Sequence, residues 1–320
     1  MNKPLVVLSL FDGFSGGQQA LVRLGVTDYV HYASEIDEAA IKVTQFRYPK
    51  TIQVGDVTKL KGSDFKNVNL ILSGSPCQSI SIGGKMKGIT AVDGTVIDTL
   101  EKYLELKTSG VEMNPSALFW EFVRIYEEIK VFNPDVKFLL ENVTNKHWED
   151  LISFTLGVRL YTINSSIASA QNRKRNYWTN IVQSTWFLFD RHIHLGDVIP
   201  GAITGAGIRG VAQKNWSYDP SNPKNKKHRG KLTIRKDYKS NCITTNSGGN
   251  SKYLTQDGEI LNLTPEQCEI LQTVEPGFTD VPGVTKTQRY HMIGNGWTID
   301  IIVNLLVKTD LKYKLLMSLH

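Results

Sequence analysis

Apolar positions in the first half of the chain fall in short continuous runs. Each run ends in a glycine-rich or acidic turn and is followed by apolar residues at helical spacing. Residues 5–8 run into Phe11-Asp12-Gly13-Phe14-Ser15-Gly16-Gly17, after which Ala20, Leu21 and Leu24 mark one face of a helix. Residues 30–33 end at Ser34-Glu35-Ile36-Asp37, followed by Ala39, Ala40, Val43 and Phe46. The run 70–72 ends at Ser73-Gly74-Ser75-Pro76-Cys77, and 136–140 ends at Glu141-Asn142-Val143. Between those two runs Leu118, Phe122, Ile125 and Ile129 form the stripe of an amphipathic helix lying on a sheet. Buried strands alternating with helices predict an α/β fold with a parallel, doubly wound sheet. Ligands of such sheets sit beyond the carboxyl ends of the strands, which here carry the glycine turn, Glu35, Pro76-Cys77 and Glu141.

After about residue 180 this rhythm stops, and Pro, Gly, Asn and Lys become frequent. Residues 231–234 and 242–245 read as irregular strands of a second region. Thr264-Pro265-Glu266-Gln267 reads as a helix start, with Thr264 as N-cap and Gln267 closing a capping box. Residues 299–307 predict a final helix that returns to the first region.

Composition narrows the picture. At 320 residues, with 41% hydrophobic and 21% charged positions, the chain is an ordinary one- or two-domain globular protein, and no apolar run reaches a membrane span. The start carries one positive charge and a very short apolar run that turns acidic and glycine-rich, unlike a secretory signal. Cys77, Cys242 and Cys268 are widely spaced with no Cys-x-x-Cys pair, which fits neither a disulfide framework nor a zinc site. We therefore expect a reducing, cytoplasmic setting and no metal. The formal charge of +6 is local: residues 214–239 hold nine Lys or Arg against two acids, while the remainder carries 28 basic and 29 acidic residues. Trp216, Tyr218 and Tyr238 are interleaved with these cations, a pattern suited to a polyanion and equally to a solvated lysine-rich loop.

Gly13, Gly16 and Gly17 let a backbone turn approach a ligand, although the spacing is not Gly-x-Gly-x-x-Gly. Glu35 ends the next strand, where an acid accepts hydrogen bonds from ribose hydroxyls, so the pair points to a nucleoside-containing cofactor. Asp56 is placed to read an amino group at the same edge, or is a surface turn residue. Cys77 is a candidate nucleophile because Glu141 and Gln171-Asn172-Arg173-Lys174-Arg175 supply an acid and guanidinium groups nearby. Cys242 and Cys268 lack such a setting, and Cys268 reads as helix packing.

In this order Phe-Asp-Gly-Phe-Ser-Gly-Gly, Ser-Glu-Ile-Asp, Gly-Asp-Val, Gly-Ser-Pro-Cys-Gln, Glu-Asn-Val, Gln-Asn-Arg-Lys-Arg and Gly-Asn-Gly-Trp resemble the ordered motifs of the DNA (cytosine-5) methyltransferases. The resemblance runs from Leu8 to about Leu306. The opening motif and Trp297 are more similar to the de novo type than to the commonest restriction-modification type. Ser15 stands where many members have Gly, and Gly296 where many have Ser.

The resemblance implies a Rossmann-like class I S-adenosylmethionine-dependent fold. Its catalytic domain would span 1–187 and 285–320, and a smaller target-recognition domain 188–284. Cys77 would be the thiolate that adds to cytosine C6, Glu141 would hold N3 and the exocyclic amine, and Arg173 and Arg175 would orient the base and the Cys77 environment. On the cofactor side, Phe11 would pack on the adenine, with Asp12, Gly13, Phe14 and Gly16 in the turn beside it. Glu35 would bind the ribose, Ile36, Asp56, Val57 and Leu118 would frame the adenine, and Asn295, Gly296 and Trp297 would close the methionine end. Gln78, Lys85 and Lys87 resemble part of a loop that closes over a flipped base. Lys226, Lys227, Arg229, Lys231 and Arg235 would contact duplex DNA. The partner implied is double-stranded DNA, with a cognate restriction endonuclease in restriction-modification settings and the oligomeric state open. Two alternatives stand beside this reading. One is a transfer-RNA cytosine-5 methyltransferase, a subgroup marked by a Cys-Phe-Thr tripeptide that this sequence lacks. The other is a DNA-binding reader that has lost the chemistry.

Overall fold

The computed structural model describes residues 4–76, 89–181, 189–209, 231–245 and 251–307. Cys77, Gln78, Lys85, Lys87, Lys226, Lys227 and Arg229 lie outside these residues. The first region alternates as expected: β1 (Leu5–Leu10), α1 (Gly16–Arg23), β2 (Tyr29–Ser34), α2 (Glu38–Arg47), β3 (Ile52–Gln53), β4 (Leu70–Gly74), α3 (Leu100–Thr108), α4 (Phe119–Lys130) and β5 (Lys137–Asn142). These are followed by α5 (Lys146–Leu156), β6 (Leu160–Asn164) and β7 (Lys174–Thr179). The strands form one seven-stranded sheet in the order β3-β2-β1-β4-β5-β7-β6. β1 to β5 pair parallel, with Gly74 opposite Glu141 at the β4–β5 end.

Alternation along the strands makes two cores. Val7, Leu70, Leu72 and Leu139 face one side with Phe14 and Leu21. Leu8, Leu10, Ile71, Phe138 and Leu140 face the other, against Phe122, Ile125 and Ile129 of α4. The stripe predicted from Leu118 onward is therefore the buried face of α4, with Leu118 itself in the turn before the helix.

The sheet is mostly parallel, as expected, and only β7 among its strands runs antiparallel to both of its neighbours, β5 and β6. The 165–173 segment joining β6 to β7 is too short for the crossover that a parallel pair requires. Two expectations change. Phe46 does not sit on the buried face of α2; it is 58% exposed, and the Arg47 guanidinium lies 5.3 Å from its ring centroid. Residues 242–245 form no strand, because side chains take the place of a ladder: the Ile243 carbonyl accepts from Arg173, and the Ile243 N–H donates to Gln171.

The later chain forms α6 (Leu195–Val198), then a separate four-stranded antiparallel sheet from β8 (Ala202–Arg209), β9 (Lys231–Ile234), β10 (Lys252–Thr255) and β11 (Ile260–Asn262). α7 (Pro265–Leu271) begins with the capping box read from Thr264 and Gln267. α8 (Lys286–Asn295) begins with a second box, Thr285 and Gln288, of the same Thr-x-x-Gln pattern. α9 (Ile299–Leu306) buries Ile301, Ile302 and Leu305 in the first of the two cores. Residues between β11 and α8 also touch the first region, since Arg47 donates to the carbonyls of Gly277 and Phe278. Among the described residues no helix is long and apolar enough to cross a membrane.

Candidate active site

The turn after β1 is wound through three left-handed residues, Phe11, Gly13 and Ser15, with φ of 58°, 58° and 59°. Glycine adopts this conformation freely, whereas Phe11 and Ser15 each cost of order 1 kcal/mol or more and must be held. The hold comes from below. Ser15 Oγ donates to Asp12 Oδ2 at 2.5 Å and shares a hydrogen bond with Thr44 Oγ1 at 3.1 Å. Asp12 Oδ1 meets His31 Nε2 at 3.2 Å. Asp12 thus lines the site while its carboxylate bolts the turn to β2, and Ser15 is one of the bolts.

Glu35 is fixed by three backbone amides. Oε2 accepts from Gly13 N at 2.7 Å, and Oε1 from Ile36 N at 2.7 Å and Asp37 N at 2.9 Å. Of the roughly four acceptor sites of a carboxylate, these amides use three and leave about one for a further hydroxyl. Asp56 caps the turn that follows β3 by accepting from Thr58 N and Oγ1. Partial burial pushes its carboxyl up, but the Thr58 hydrogen bonds and the charges of Lys59 and Lys107 outweigh this and hold it below the ordinary range.

At the ends of β4 and β5, Asn142 Nδ2 donates to Ser75 Oγ at 2.9 Å, pinning the segment that leads through Pro76 to Cys77. Glu141 is anchored at both oxygens, to Arg175 Nε at 3.1 Å and by donation from Trp297 Nε1 at 3.1 Å. Arg173 is buried and acts as a brace. It donates to the carbonyls of Ile243, Gly294 and Gly296, tying the 242–245 segment to the end of α8. Burial, reinforced by the charge of Arg175, lowers its pKa. Gly296 has a physical reason: a Cβ there would lie 2.4 Å from the Phe14 ring. At Gly294 a Cβ would lie 2.3 Å from the Thr244 backbone.

One cavity of about 420 Å³ is lined by every residue that the resemblance puts beside the cofactor, from Phe11 to Trp297, together with Glu141, Arg173, Arg175 and Pro76, whereas Gly17 packs against Leu72 instead. It brings onto one surface an exposed Ile36, Val57 and Leu118, the carboxylates of Glu35 and Asp56, and a close-approach backbone turn. That donor set suits a nucleoside joined to a small polar chain. Lys231 and Arg235 belong to the second region, where Arg235 forms a fork with Asp237, Nε to Oδ1 at 2.9 Å. Lys239, counted with the basic stretch, is buried and donates to the carbonyls of Ser166, Ser169 and Ile193, so it is a structural cation.

Three residues escaped the sequence reading. Asn142 and Gln171, which reaches the Leu271 carbonyl and Gln272 Oε1, sat inside motifs that pointed elsewhere. Cys242 was judged to have no special setting, yet its sulfur lies 3.5 Å from Arg173 Nη1 and 4.0 Å from Arg175 Nη2. Burial raises the Cys242 pKa, but the two guanidiniums outweigh it and the thiol ends below its usual range. Cys268 is packed inside α7, and its thiol is pushed up to about 12 by burial and then by Glu269. Iodoacetamide near neutral pH is therefore expected to label Cys242 and spare Cys268 in the folded protein, as read by peptide mass mapping. Labelling of Cys268 first would contradict both environments.

The class of protein that this fold and cavity define is a Rossmann-like α/β protein with a nucleoside-type cradle at the strand ends. Solved structures with the same architecture include an Entamoeba histolytica methyltransferase, with TM-score 0.62 and 15% identity over 99% of both chains. The Schizosaccharomyces pombe Dnmt2 methyltransferase likewise has TM-score 0.62 and 15% identity, over 94% of this chain and 97% of that one. At such identity they speak to the fold alone. The chain belongs to the C-5 cytosine-specific DNA methylase family, whose model matches residues 5–185. It is 25% identical to the type II methyltransferase M.MspI of Moraxella sp over 329 aligned residues, 96% of this chain and 71% of that relative. With M.NlaIV of Neisseria lactamica it shares 33% identity over 104 residues, 31% of this chain, spanning only 25% of the relative's length.

Proposed function

We propose that this protein methylates C5 of cytosine in duplex DNA, taking the methyl group from S-adenosylmethionine. The observation that carries the reading is that one cavity joins a nucleoside-type cradle to the Glu141 carboxylate and to Pro76, the residue before Cys77. Glu35 would accept from a ribose hydroxyl, Phe11, Ile36, Val57 and Leu118 would enclose the adenine, and Asn295 to Trp297 would close the methionine end. When bound there, the cofactor supplies an electrophilic methyl carbon.

The chain's own residues do the rest. A cytosine rotated out of the helix costs a few kcal/mol in lost stacking and pairing, offset by the contacts it gains in the pocket. The Cys77 thiolate forms a bond to C6, which drives electron density toward N3 and makes C5 nucleophilic. Glu141 receives the exocyclic amine and delivers a proton to N3 as that charge builds, while Arg175 keeps its carboxylate in place. Once C5 carries the donated methyl group, whose former bonding pair stays on the donor sulfur, water takes up the C5 proton, the C5–C6 double bond re-forms, Cys77 leaves as thiolate and N3 returns its proton to Glu141. The target-recognition domain is assigned within 188–284, with its sheet in β8 to β11 and phosphate contacts from Lys231, Arg235 and the cations at 226, 227 and 229. Relatives include type II and orphan methyltransferases, so the reading commits to duplex DNA and not to an endonuclease partner.

The test is covalent trapping. Random-sequence duplex DNA and transfer RNA, each carrying 5-fluorocytosine, are incubated with the protein and S-adenosylmethionine and resolved by mass. A duplex-DNA adduct mapped to Cys77, and lost in Cys77→Ala and Cys77→Ser, is the expected result. An adduct on transfer RNA alone would overturn the DNA assignment, and none on either would mark a protein without the chemistry.

A further inference from the structure

Trp297 does more than close a cavity wall. Its indole N–H, a donor that never accepts, points at Glu141 Oε2 at 3.1 Å, opposite the Arg175 contact on Oε1. The carboxylate is thereby held at both oxygens by groups from two elements far apart in sequence. Space for the ring exists because the strand partner of Glu141 is Gly74: a Cβ on Gly74 would lie 3.0 Å from the indole nitrogen and 3.4 Å from Cε2 and Cζ2. The other edge of the ring rests near Gly16, where a Cβ would lie 3.7 Å from Cε3. The indole therefore fills the gap between the start of α1 and the end of β4, touching the cofactor turn, the strand that leads to Cys77, and the acid on β5.

Its mount is rigid. The Gly296 carbonyl before it accepts from Arg173 at 2.8 Å and Gln272 at 3.1 Å. After it, Thr298 Oγ1 donates to Gln272 Oε1 at 2.8 Å, and Ile299 N to the Gln272 carbonyl at 2.9 Å. Neighbours on both sides are thus pinned to one buried glutamine, leaving the indole little freedom to swing away from Glu141.

We infer that Trp297 is a positioning residue for the acid Glu141, fixing its carboxylate plane and linking the methyl-donor side of the cavity to the group that holds the base. This rests on the methyltransferase reading above. A side chain of the same shape without the N–H leaves Glu141 anchored only through Arg175, so base holding and proton delivery lose register while cofactor packing survives.

The experiment replaces Trp297 with benzothienylalanine, in which sulfur takes the place of the N–H, and in parallel makes Trp297→Phe. Two quantities are read: the Kd of S-adenosylmethionine by calorimetry, and the single-turnover transfer of tritiated methyl, at saturating cofactor, to unmethylated bacterial genomic duplex fragments. Both measurements are repeated in a Glu141→Gln background. Expected is a rate lower by about tenfold or more, the scale of a hydrogen bond to a charged group, with Kd within about threefold of wild type. In the Glu141→Gln background the same replacement should change the rate by less than about threefold, because a residue acting through Glu141 has nothing further to lose. A rate loss that adds fully to that of Glu141→Gln, or a raised Kd with unchanged rate, overturns the positioning role. Absence of transfer by the wild type overturns the methyltransferase reading with it, whereas wild-type transfer with an unaffected analogue overturns the positioning role alone.

Discussion

Glu141→Gln is expected to slow methyl transfer by about 10²- to 10⁴-fold while S-adenosylmethionine binds within a few-fold of wild type. The amide keeps the size of the side chain and still offers one acceptor oxygen to Arg175 or Trp297, the two donors that hold the carboxylate. Its NH₂ then faces the other donor, and no acidic proton is available for N3 as Cys77 adds to C6. Because Glu141 is on β5, separated in the sheet by β4 and β1 from β2, whose end leads to Glu35, the loss should fall on the chemical step and leave cofactor affinity alone. Single-turnover methyl transfer with parallel calorimetry decides this. A variant that keeps near-wild-type rate would remove Glu141 from the chemistry, and one that fails to bind cofactor would make it part of the cofactor cradle instead.

The largest stability effect is expected far from any reacting atom, at Glu121. This carboxylate is wholly buried on α4 and accepts from Tyr103 Oη at 2.6 Å, Lys107 Nζ at 2.5 Å, and Arg124 Nε and Nη2 at 2.8 and 2.6 Å. The two cations in turn hold the turn after Asp56: Lys107 donates to the Thr58 carbonyl and Arg124 to that of Leu60. Burial, and then the hydrogen bond to Glu121, drives the Tyr103 pKa upward, keeping the phenol a donor. Glu121→Ala leaves Arg124 without its closest buried acceptor and empties the centre of the cluster, a loss of about 3–5 kcal/mol in unfolding free energy. Lys107, about a third exposed, contributes the smaller share because water screens it. Cofactor affinity should fall about tenfold, ~1.4 kcal/mol, since the loosened turn carries Asp56 and Val57 into the cavity lining. Urea unfolding and calorimetry on the same preparation read both numbers. A stability loss under about 1 kcal/mol would mean that the freed cations find other partners at little cost.

Much of the site was legible because it is built from strand ends. The short apolar runs before the Phe11 turn, Glu35, Cys77 and Glu141 predict parallel strands, and parallel strands bring their carboxyl ends to one edge whatever the details of packing. Hence the Phe11 turn, Glu35 and Glu141 line one cavity, whereas Leu118 and Asn295 to Trp297, which line it too, were named by the family resemblance and not by the strand pattern. The same local logic found the Thr264 capping box, since a cap is written within four residues. Where partners are distant in sequence, the pattern was silent. The antiparallel turn of β6 and β7 shows only once the 165–173 segment is seen to fold back. Cys242 acquires its setting from Arg173 and Arg175, and Lys239 its buried role from three carbonyls on other segments.

The sequence by itself determined the alternation of strands and helices, the edge at which chemistry collects and the identity of the groups available there. These depend on periodicity and on side-chain type, which are properties of short stretches. Only the tertiary structure decided how those groups are divided between acting and bracing. Asp12 turns down to hold Ser15 and His31, Arg173 ties Ile243 to Gly296, and Trp297 reaches Glu141 through the space left by Gly74. The physical reason is that a buried polar atom must take whatever partner the packed chain brings within hydrogen-bonding distance, and that partner is chosen by long-range packing.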